Sequence, residues 1–161
     1  MTESVRLRPP TNRLNPRCLA WWRVRFALVV LPLTLVVAVL GVLLVPALLI
    51  LAAAIGVVGS AVSVLLPAWW YRVHRWEVTD RAVYTRTGYF WQEWRVAPMS
   101  RIQTVDTARG PLQQLFRLAT VTVTTASAKG AVEIAGLDAQ LASSLAEELT
   151  ETTQATPGDA T

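Results

Sequence analysis

Residues 26–71 read FALVVLPLTLVVAVLGVLLVPALLILAAAIGVVGSAVSVLLPAWWY, 46 positions from Phe26 to Tyr71 with no Asp, Glu, Lys, Arg or His, closed by Arg25 on one side and Arg72 on the other. A bilayer core is about 30 Å thick and takes about 20 apolar residues to cross as a helix, so the run amounts to roughly two crossings. Gly41 and Pro46 lie near its middle, where a chain that doubles back must turn. The expectation is a hairpin of two helices at about 26–45 and 47–68, turning around Val45 and Pro46. Pro32 falls inside the first arm, where lipid surroundings tolerate a kink.

Aromatic residues mark both ends of the run. Trp21 and Trp22 precede it and Trp69, Trp70 and Tyr71 finish it, five of the ten Trp and Tyr residues in the chain. Such rings favour the headgroup level, half dry and half hydrogen-bonded, so these five read as interfacial anchors. A buried hairpin of a soluble protein has no reason to gather them at its two open ends. Arg6, Arg8, Arg13, Arg17, Arg23 and Arg25 lie before the first arm, Arg72, Arg75 and Arg81 follow the second, and the turn between the arms is uncharged. Positive flanks stay in the cytoplasm. The expected topology is a multi-pass protein of the inner membrane with both termini cytoplasmic.

The formal charge of +4 hides a gradient. Six arginines against one glutamate leave residues 1–25 at +5, residues 72–136 carry +4, and the acidic residues 137–161 carry −5. Positive charge therefore sits next to the membrane, where each basic residue gains about 1 kcal/mol from anionic headgroups. Membrane lipids account for a sequence pI near 10.0 without nucleic acid, for which the chain shows no motif. Cys18, the only cysteine, offers neither a disulfide nor a metal-type spacing and reads as an incidental juxtamembrane residue. The apolar run is far longer than the core of a cleavable signal peptide, and a second span's worth follows Ala52-Ala53-Ala54, so cleavage is not expected.

Along the chain, residues 1–20, with Pro9, Pro10 and Pro16 among arginines, read as an irregular basic tail, and residues 21–71 as the hairpin unit. Within the second arm Ala52, Gly56 and Ser60 recur every four residues, and Gly59 with Ser63 repeats the interval on a neighbouring line. Small residues so spaced let helices pack closely in lipid, here against the first arm, against another protein, or against a second copy. From Arg72 the pattern alternates. Trp76 and Val78 alternate with Glu77 and Thr79, and Asp80-Arg81 turns into Ala82–Thr87. Further strands are expected from Phe90 to Val96, from Arg101 to Thr107, from Thr120 to Thr125 and from Ala131 to Ala135 after a turn at Lys129-Gly130. Leu112, Leu115 and Phe116 suit one helical turn. Six short strands at near-regular spacing make a small antiparallel β domain over residues 72–151. A final helix follows, capped by Asp138 with an apolar stripe of Leu141, Leu145 and Leu149 beside Ala142 and Ala146; residues 152–161 are expected to be a disordered tail.

The residue inventory supplies little for catalysis. His74 is the only histidine and stands between Arg72 and Arg75 at the aromatic boundary; Asp80, Glu93 and Asp106 are scattered over separate elements. No phosphate loop, zinc-protease helix or nucleophile elbow appears, and no ionisable group lies at membrane depth to suggest a transport path. Neither enzyme activity nor a cofactor is expected.

The hairpin followed by Arg75-Trp76-Glu77-Val78-Thr79, by Ala97-Pro98-Met99-Ser100-Arg101-Ile102-Gln103-Thr104-Val105, by Gly110-Pro111-Leu112, by Leu118-Ala119-Thr120-Val121-Thr122-Val123 and by Ile134-Ala135-Gly136-Leu137 resembles the membrane-anchored bacterial pleckstrin-homology-like (PH) domains over about residues 20–150. One departure is Arg117, where that pattern leads one to expect a glycine before Leu118. The resemblance implies an α+β membrane protein: a two-helix transmembrane hairpin, then a half-open antiparallel β barrel capped by the C-terminal amphipathic helix, acting as a binding or scaffolding module. Arg72, Arg75, Arg81 and Arg86 become the candidate contacts to headgroups or a partner. The partner is a protein, anionic lipid or a second copy; the alternative role is an accessory subunit of a membrane transporter or envelope enzyme, recognised through Ala52, Gly56 and Ser60. On the first reading, residues 72–161 fold and stay soluble without the hairpin.

Overall fold

The computed structural model describes residues 9–88, 91–126 and 130–155. Two helices dominate it, α1 (Arg17–Leu43) and α2 (Ala47–Val73), and each is long and apolar enough to cross a membrane. Pro46 immediately precedes α2, where its missing N–H costs nothing, so the reversal falls where Pro46 places it. Pro32 is carried inside α1 without ending it. Both helices run past the limits expected from the apolar run, by nine residues before Phe26 and five after Ala68. Loss of apolarity marks where a helix leaves lipid, and nothing in Arg17–Arg25 or Trp69–Val73 breaks helical backbone. At 1.5 Å per residue a 27-residue helix is about 40 Å long. About 10 Å of that length is left over for contact with the domain.

That domain is two antiparallel meanders. The first has β1 (Asn12–Arg13), β2 (Arg75–Val78), β3 (Ala82–Thr87) and β4 (Glu93–Pro98) in that order; the second has β5 (Ile102–Ala108), β6 (Leu118–Thr125) and β7 (Val132–Asp138). A 3₁₀ turn over Met99–Arg101 carries the chain from one sheet to the other. A helical turn, α3 (Pro111–Leu115), links β5 to β6, pinned by Gln113, whose Oε1 accepts from Gly110 N–H and whose Nε2 donates to Thr120 Oγ1. Helix α4 (Ala139–Ala155) closes the barrel, and Asp138 caps it by accepting from Gln140 N–H. Strand parity is as the alternation requires: Val121 and Val123 are fully buried while Thr120, Thr122 and Thr124 are half-exposed, and Val132 and Ile134 are buried opposite them.

Several boundaries differ from the sequence expectation. The segment before Arg17 is not wholly irregular: Asn12 and Arg13 pair with Trp76 and Arg75, and Leu14 is buried in the barrel core. The α4 stripe is Ala142, Leu145 and Leu149, all buried, whereas Leu141 is exposed. Helix α4 continues through residues 152–155; residues 1–8, Phe90, Lys129 and residues 156–161, on which other expectations fell, lie outside the described residues.

Cys18 is the largest departure. Far from incidental, it is fully buried, and its Sγ–H donates to Gly136 O at 2.9 Å. The β6–β7 register explains how the two meet. Ala119 faces Leu137 and Thr120 faces Ala135, so Gly136 is the extra residue of a bulge, with φ +79. Glycine holds that conformation without cost, and a Cβ added there would run into Cys18 Sγ. The bulge thereby turns its carbonyl toward the start of α1, where it also accepts from Asn15 N–H. Arg17 reaches Asp138 at 3.5 Å on the same side.

Candidate functional site

The base of the hairpin and the barrel share one core. Trp21 and Trp22 are buried with Leu14, Cys18, Trp76 and the β6–β7 valines and leucines, and Trp70 and Tyr71 pack against that cluster. Trp22 stands edge-on to Trp70 at 5.8 Å and 5.5 Å from the His74 ring. Of the five aromatics expected as an interfacial belt, Trp69 alone is largely exposed, at 55%. The others are taken up at the base of the hairpin by the barrel core, Trp21 and Trp22 within it and Trp70 and Tyr71 against it. Burial pushes His74 below the ordinary imidazole value, and the hydrogen bond to Trp70 O at 2.8 Å acts the other way. A carbonyl only accepts, so Nδ1 carries the proton.

Beneath these aromatics a cleft of about 950 Å³ opens between the hairpin base, the inner faces of β3 and β4, and the face of β7 that carries Glu133 and Ala135, opposite buried Val132 and Ile134. Arg25 and Arg95 line it, balanced by Glu93 and Glu133, and Arg95 is tied to Glu93 at 2.8 Å and to Ala131 O at 2.8 Å. Its charges cancel, so it selects no sign of ligand.

The outer face of the first sheet is different. Arg13 pairs with Arg75, Arg75 with Arg86, and Arg86 with Trp94, so four strands place their side chains in one row, neighbours about 5 Å apart at Cβ. Trp76, next to Arg75 and opposite Thr85, is buried, which fixes the row on the outside. Two of these arginines are held by the C-terminal end of α2. Arg75 Nη1 donates to Tyr71 O and His74 O, each at 3.3 Å, and Arg86 Nε to Val73 O at 3.0 Å. Terminal helix carbonyls carry partial negative charge and welcome such donors. The Arg86 guanidinium also lies 5.7 Å from the Trp94 ring centre. Among the described residues no carboxylate forms an ion pair with Arg13, Arg75 or Arg86. Desolvation, then the charges of Arg13 and Arg86, lower the pKa of Arg75.

Of the four arginines singled out from the sequence, the structure thus brings together Arg75 and Arg86. Arg72 is exposed on the last turn of α2, and Arg81 lies at the far end of β3, about 17 Å along the strand from Arg86. Arg13 was missed as a member, because its place depends on a strand of two residues pairing more than sixty positions away. The small-residue stripe is also redistributed. Ala52 is buried and Gly56 faces Thr34 of α1, but Ser60 is exposed; Gly59, against Val30, and buried Ser63 complete the contact line instead. The stripe as described is used within the chain.

Two apolar helices that fold back on each other and carry a split antiparallel barrel with a C-terminal covering helix define a membrane-associated PH-like protein. Residues 26–153 match the family described as bacterial PH domain, and the chain belongs to that family. It is similar to the UPF0699 transmembrane protein YdbS of Bacillus subtilis (strain 168), 32% identical over 133 residues that cover 73% of this chain and 78% of that one. No solved structure matches. The family is one of PH-domain transmembrane proteins and not a known enzyme family.

Proposed function

We propose that the protein is a non-catalytic, membrane-anchored binding module. Both helices cross the inner membrane, both termini are cytoplasmic, and the barrel is held against the cytoplasmic leaflet, where it engages anionic lipid or a protein partner, a second copy included. One observation carries this reading: Leu14, Cys18, Trp21 and Trp22 of the N-terminal segment lie in the same core as the β strands, which fixes the barrel to the hairpin base with no linker between them. A domain so mounted has a set orientation to the bilayer, which suits a scaffold. The basic flanks support the cytoplasmic side. The accessory-subunit alternative draws less support from its stripe, since Ala52 is buried and Gly56 meets Thr34 of α1, which leaves Ser60 as its exposed member.

Reporters fused after Thr161 test the topology. A green fluorescent protein should fluoresce and an alkaline phosphatase should stay inactive; an active phosphatase places the barrel outside and ends this reading.

A further inference from the structure

We propose that the Arg13–Arg75–Arg86 row is a binding site for the phosphate of an anionic lipid in the leaflet at the base of the hairpin, on the side of the barrel. The inference deepens the function proposed above and rests on it. Three guanidiniums from three strands converge on one face with no ion-paired carboxylate among the described residues, an arrangement that costs Coulomb energy unless an anion completes it. Bonds to the α2 carbonyls set Arg75 and Arg86 in place while engaging only part of each guanidinium's five N–H donors. Arg13 is exposed and free to close over a ligand. Forked N–H pairs suit phosphate oxygens better than a single ammonium does.

Position selects lipid over a soluble phosphate. Arg75 follows the last residue of α2 by two positions, and exposed Trp69 stands a turn above. That is the depth at which lipid phosphates lie beside a spanning helix. Trp94, 39% exposed at the end of the row, offers a flat ring to the glycerol region beside the phosphate. The β2–β3 turn, with Arg81 at its end, is a separate surface and is not part of this site.

The test uses the full chain in a neutral detergent, given an equimolar mixture of phosphatidylglycerol and phosphatidylcholine with matched acyl chains, and read by native mass spectrometry. The wild-type protein should retain phosphatidylglycerol preferentially. Arg13→Gln, whose side chain holds no other part of the fold, should weaken that preference about fivefold, the factor one basic residue contributes at a membrane surface. Arg101→Gln, an equal loss of charge on the exposed 3₁₀ turn, should leave it unchanged. Equal loss in both variants would reduce the effect to general charge and overturn the site, as would no preference in the wild type. Inorganic phosphate at matched ionic strength should not displace the lipid; displacement would overturn the lipid assignment. A cytoplasmic reporter together with no lipid preference sinks the row alone, whereas an external reporter sinks the reading beneath it.

Discussion

Arg117 holds φ 54, the left-handed region that costs an L-residue about 1–2 kcal/mol, in the position where the PH-like pattern suggests glycine. Its side chain is exposed, and its backbone still works: Arg117 O accepts from Ala139 N–H and its N–H donates to Gln114 O. Arg117→Gly should therefore stabilise the protein by up to about 1 kcal/mol, seen as a raised Tm in detergent. Gly136 shows the opposite case, since its φ and the Cys18 contact both forbid a side chain. Gly136→Ala should strongly destabilise the fold, and by less in a Cys18→Ala background; a thermal double-mutant cycle measures the coupling, which equal losses would deny. His74 sets an acid-side limit. Its depressed pKa means that the unfolded chain takes up the proton first as pH falls. Stability from this group is present above about pH 6.5 and is lost below it. Tm should drop between pH 7.5 and 5.5, and drop less in His74→Gln.

At the scale of elements, the same geometry corrected two stripes. Four residues turn a helix by about 400°, so a strict four-residue repeat drifts by about 40° at each step. Ser60 and Leu141 are the members that drift off the packed face, and the true lines alternate fours and threes, through Ala52, Gly56, Gly59 and Ser63 and through Ala142, Leu145 and Leu149. Gly59→Leu should force α1 and α2 apart at Val30 and cost roughly 1–3 kcal/mol or more. Ser60→Leu should change stability by less than about 0.5 kcal/mol. Unfolding of the purified chain in a denaturing detergent series compares the two. Strands were more legible than helix faces, because Val121 and Val123 against Thr120, Thr122 and Thr124 repeat every two residues and cannot drift. The Gly136 bulge was not legible: one glycine in a strand-like run does not say which partner needs its carbonyl.

For the whole molecule, the apolar run announced the hairpin, but not that barrel and hairpin base share one core. Sequence separation hides it. Cys18 meets Gly136 across 118 positions and Arg13 O accepts from Trp76 Nε1–H across 63, and neither residue type advertises the contact. The shared core argues against independent folding of residues 72–161, since they would lack Leu14, Cys18, Trp21 and Trp22 and expose the core that these cover. Burying one such aromatic side chain contributes on the order of 3 kcal/mol, a large share of the roughly 5–15 kcal/mol that holds a typical domain. The direct measurement is the amide spectrum of residues 72–161 expressed alone, set beside the full chain in detergent. The shared core predicts collapsed amide dispersion or aggregation for the fragment; a soluble, well-dispersed spectrum matching the full chain's barrel would contradict it.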